Sequence, residues 1–160
     1  MGVRASFQVI PITLFEKVKA RSPSGKAEDI EALYPSNEEW KAVNETDPLE
    51  TGFGAWWVFQ AAFNRLGAPL KHTIQGDLVY RGGIDTSGQE AFAGDHYIGY
   101  VSTECVRQIT SRISALSMHE LEGALDPANH YPGLEEDLKT LQTVYQQAAQ
   151  LGMAIMITIA

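Results

Sequence analysis

The closing stretch of this chain, HYPGLEEDLKTLQTVYQQAAQLGMAIMITIA from His130, limits its fold more than any other part. Tyr131-Pro132-Gly133 reads as a turn, since Pro and Gly supply backbone angles that regular elements avoid. Leu134, Leu138, Leu141, Val144 or Tyr145, Ala148 and Leu151 then recur at the spacing that lines one helical face. Gly152 is suited to the left-handed residue that ends a helix. Positions 153–159 follow as an almost wholly apolar run. A strand that is apolar at every position needs cover on both faces, so this segment predicts a helix feeding a strand inside a sheet. That strand ties the end of the chain into the core.

The 160 residues, 44% of them hydrophobic, suffice for a single domain over 1–160 with a real core. Positions 5–10 read as a first strand with Phe7 and Val9 on one face, ended by Pro11. Leu14, Phe15 and Val18 predict a short helix after it, and Arg21-Ser22-Pro23-Ser24-Gly25 a loop. Ile30, Leu33 and Tyr34 suggest another short helix, and Ser36 with Glu39 has capping-box spacing for one through Trp40 and Val43. Positions 52–66 read as one aromatic helix with Trp56, Phe59, Phe63 and Leu66 on a stripe, closed by Gly67. Positions 70–94 are the least periodic, with a short edge strand at Leu78-Val79-Tyr80. A central strand is expected near 97–101. Ser102 or Thr103 then caps a helix carrying Val106, Ile109, Ile113 and Leu116, and Ser117 with Glu120 caps another. The fold class is α+β: a small mixed or antiparallel sheet, made of the N-terminal strand, the strand near 97–101 and the C-terminal strand 153–159, packed with several helices.

The formal charge of -8 argues against nucleic-acid binding, which needs a basic surface. The acids concentrate in two segments, Glu28 to Glu50 and Glu120 to Asp137, and suit a basic protein partner or solubility. Cys105 is the sole cysteine, which excludes a disulfide within the chain and fits a reducing cytoplasm. No run reaches the roughly 20 apolar residues that span a membrane, and the N-terminus lacks a secretory pattern.

No strong catalytic signature is present. His72, His96, His119 and His130 include no pair four residues apart, so no two share a helical face as zinc ligands. Gly82-Gly83 and Gly52-Phe53-Gly54 do not fit a phosphate-binding loop. No metal and no cofactor are expected. Asp95, His96 and Tyr97 at the junction of the irregular segment and the strand are the first candidates for binding, with Trp56 and Tyr131 next. The bland readings are a satisfied histidine, a core tryptophan and a turn-packing tyrosine. Cys105 falls in the first turn after the Ser102/Thr103 cap, where a helix start can activate a thiol. A small buried apolar side chain is the plainer reading.

MGVRASFQVIP, AWWVFQAAFNRLG, YIGYVSTECVRQI and the closing HYPGLEEDLKTLQTVYQQAAQLGMAIMITIA together resemble the YfbM-like bacterial family of unknown function. The anchors are Trp57, Tyr100-Val101-Ser102 and Tyr131-Pro132-Gly133, and the resemblance covers most of the chain in order. It departs between His72 and Asp95, and Arg65-Leu66-Gly67 stands where the family usually has Leu-Thr-Gly. The resemblance implies a soluble, cytoplasmic, bacterial α+β domain and carries over no catalytic residue.

Two functions are therefore expected. One is an interaction module of antidote or immunity type, whose acidic surface meets a basic protein partner, as a monomer or small homo-oligomer. The alternative is a small-molecule binder or enzyme with an aromatic pocket near 72–100, walled by Trp56, Trp57, His96, Tyr97, Tyr100 and Tyr131.

Overall fold

A computed structural model describes residues 4–11, 50–81 and 97–159, with positions 13 and 16. The helices expected around 14–18, 30–34 and 36–43 lie outside the described residues or touch them only at isolated positions, and 82–96 lie outside. Within them the elements are β1 (Ala5–Ile10), β2 (Glu50–Phe53), α1 (Trp56–Leu66), β3 (Asp77–Arg81), β4 (Tyr97–Val101), α2 (Thr103–Ser114), α3 (Met118–Ala124), α4 (Leu134–Leu151) and β5 (Ala154–Ile159). Short 3-10 turns occupy Leu70–His72 and Pro127–Asn129.

The sheet has the order β2-β1-β5-β4-β3, and every described pairing is antiparallel. The most apolar strand, β5, takes the centre. Because side chains alternate across a strand, register decides which residues face the helices. Ala5, Phe7 and Val9 lie opposite Ile159, Ile157 and Ile155, which lie opposite Tyr97, Gly99 and Val101. This face joins Phe59, Phe63, Ile109, Ile113, Leu141 and Tyr145 in the main core. On the other face Ile10, Ala154 and Met156 are buried too, so β5 is covered on both sides, as its composition demands.

The expected helix over 52–66 needs correction at its start. Glu50–Phe53 is a strand paired with β1, and the helix begins only at Trp56. Glycine has low intrinsic helix propensity, so tertiary pairing decided these residues. Gly52 fits that pairing closely: a Cβ there would stand 2.7 Å from the Ala5 carbonyl oxygen. The expected stripe also rotates. Val58, Phe59, Ala62 and Phe63 are buried, with the two rings 5.7 Å apart and tilted, while Trp56 and Leu66 pack only partly against the core.

The remaining elements keep the expected pattern. Ser102 Oγ accepts from the Cys105 N–H at 3.3 Å, and Ser117 Oγ from the Glu120 N–H at 3.1 Å, each satisfying a donor left open by its helix start. In α4 the face from Leu134 to Ala148 is buried, but Leu151, expected inward, is 54% exposed. The chain leaves the helix there: Gly152 adopts φ 64° and turns it into β5, so the last turn projects beyond the core. Ser102→Ala is expected to cost about 1 kcal/mol, read as a lower urea midpoint at unchanged slope.

Candidate functional site

A small open cleft lies where the segment entering β3 crosses the start of α2. It is lined by His72, Gly76, Asp77, Tyr100, Val101 and Cys105. Gly76 makes the crossing possible. Its φ of +57° is a left-handed conformation that glycine adopts without strain. Its Cα lies so close to β4 that a Cβ would meet the Tyr100 carbonyl oxygen at 2.3 Å. Gly99 makes the matching concession in β4, since a Cβ there would stand 2.0 Å from the Gln75 carbonyl oxygen.

Two phenols hold this segment from the core side. The Tyr97 hydroxyl donates to the Gln75 carbonyl at 3.0 Å. The Tyr145 hydroxyl, on α4, donates to the Thr73 carbonyl at 2.6 Å. Tyr145 is fully buried, and burial pushes its phenol well above its ordinary range, with the neighbouring Cys105 thiol a second cause. The Gly76 N–H closes the turn on the His72 carbonyl at 2.9 Å. His72 itself is exposed and is one of the residues that line the cleft.

Cys105, expected as a small buried apolar side chain, is half-buried, packs against the core and also lines this cleft. The reason is its place in the first turn of α2, one residue before the fully buried Val106, where the chain has just left the sheet. The cleft measures about 50 Å³. That is room for roughly three or four waters, against the roughly 300 Å³ or more of a typical ligand pocket. Among the described residues, no three His, Cys, Asp or Glu side chains converge to hold a metal ion.

The residues singled out from the sequence are distributed otherwise. Asp95 and His96 lie outside the described residues. Tyr97 holds the turn beneath the cleft and is half-buried against the core. Trp56 packs partly on the core at the start of α1. Tyr131 precedes α4, where its hydroxyl donates to Asp137 Oδ2 at 2.5 Å. Desolvation by burial, reinforced by the Asp137 carboxylate, drives the Tyr131 phenol far above its usual range. This tyrosine braces the first turn of α4, whose N-cap, Gly133, makes no side-chain cap bond. Tyr131→Phe is expected to cost about 1 kcal/mol in thermal or urea unfolding, the usual net worth of such a bond.

The single aromatic wall imagined for a ligand pocket does not form from the described residues. Tyr97 and Tyr100 sit three residues apart on one strand and therefore project to opposite faces. Trp57 is 53% exposed. Sequence reasoning missed the grouping of His72, Asp77 and Cys105. The spacing Ser102-x-x-Cys105 does signal a thiol in a capped first turn, but nothing local to His72 signals that it lines the same cleft.

No family model matches the chain, and no curated protein does either. Among solved structures it is similar to the crystal structure of YfbM, a protein of unknown function from Escherichia coli. The likeness spans 98% of this chain and 99% of that one, with a TM-score of 0.60 and 11% sequence identity. At that identity it is the fold that the two share: this chain has the YfbM-like α+β architecture that its sequence resembles.

Proposed function

We propose that the chain is an interaction module that presents an acidic face to a basic protein partner, in the manner of an antidote or immunity protein. The supporting observation is the charge along α3, the Pro127–Asn129 turn and the first turn of α4. Glu122, Asp126, Glu135 and Glu136 are all exposed there. Basic side chains also face this stretch, among them Arg65, which donates to the Ala124 carbonyl at 2.9 Å. Arg112 pairs with Glu120 at 2.9 Å, His130 lies 3.5 Å from Glu122, and Lys139 lies 3.5 Å from Glu135. The acids from Glu120 to Asp137 outnumber these bases, so a net negative charge remains on the stretch. Such a face attracts a basic partner before contact and speeds docking, an effect that salt removes.

The reading also accords with the absence, among the described helices, of any long and apolar enough to cross a membrane. A single half-buried cysteine suits a reducing compartment such as the cytoplasm.

The test is a tagged capture from bacterial lysate at low and high salt, repeated with the variant Glu122→Lys/Glu135→Lys/Glu136→Lys. The expected result is a stoichiometric basic partner that is lost at high salt and is not captured by the variant. A partner held equally by the variant would show that this face does not make the contact.

A further inference from the structure

We draw no further inference here: the strongest candidate, the solvent face of α1 around Trp57, which is 53% exposed, carries none because nothing in the structure shows what covers it.

Discussion

Replacing Gly99 with alanine is expected to destabilise the protein by about 3 kcal/mol, near the upper end for overpacking a core. The added methyl would lie 2.0 Å from the Gln75 carbonyl oxygen and 3.2 Å from that of Asp77. The Tyr97 ring, 2.8 Å away, could turn aside, but the nearest obstacle is backbone, so no side-chain rotation relieves the clash. Neither can the strand withdraw, because β4 is bonded to β3 on one side and β5 on the other. The segment that carries His72 and Asp77 must therefore lift away, which also breaks the Tyr97–Gln75 hydrogen bond. Gly54 supplies the control. A Cβ there has nothing within 4 Å, and Gly54→Ala is expected to stay within about 0.5 kcal/mol of wild type. Urea unfolding of the two variants, followed by far-ultraviolet circular dichroism, reads the difference. A Gly99→Ala midpoint equal to that of Gly54→Ala would mean that the Gln75–Asp77 backbone does not lie over β4, and the cleft would go with it.

Removing the Tyr145 side chain is the other large effect, with Tyr145→Ala expected to cost about 4 kcal/mol. The ring is fully buried where α4 meets α2 and the core. Its hydroxyl ties α4 to the Thr73 carbonyl, a contact across 72 positions of sequence. Tyr145→Phe separates the two contributions. It keeps most of the packing but leaves a buried carbonyl without its donor, for about 1–3 kcal/mol. Tyr145→Ala close to wild type would show that this junction is not part of the core.

The same residue gives the protein an alkaline limit. Its folded-state phenol is raised above the ordinary value of 10.0, so above pH 10 the unfolded chain has released a proton that the folded chain still holds. The stability contributed by Tyr145 is therefore fully present below pH 10. It then falls by about 1.4 kcal/mol per pH unit as the pH rises toward the folded-state value. Tyr145→Phe should lower stability at pH 7 and flatten the decline above pH 10. A wild-type curve with the same alkaline slope as the variant would contradict this assignment.

Much of the fold is legible in the residues because it depends on short-range patterns. The α4–Gly152–β5 unit follows from an apolar period, one left-handed glycine and an uninterrupted apolar run. The caps at Ser102 and Ser117 follow from a hydroxyl placed three residues before the N–H it accepts. What escaped were features whose cause is distant in sequence. The Glu50–Phe53 strand exists because β1 offers it a free edge, and its own residues carry no strong preference. Leu151 satisfies the helical period and still points to solvent, because the core ends before the helix does.

The candidate site divides the same way. By itself, the sequence determined that Cys105 would fall in the capped first turn of a helix and that β5 would need cover on both faces, since cap spacing and side-chain alternation are set within a few residues. Only the tertiary structure decided that His72 and Asp77 would line one cleft with Cys105 and that Tyr145 would reach Thr73. Those neighbours meet because Gly76 and Gly99 let two backbones approach where any side chain would hold them apart. The missing atoms at those two positions acquire a meaning only when the segments are already in contact.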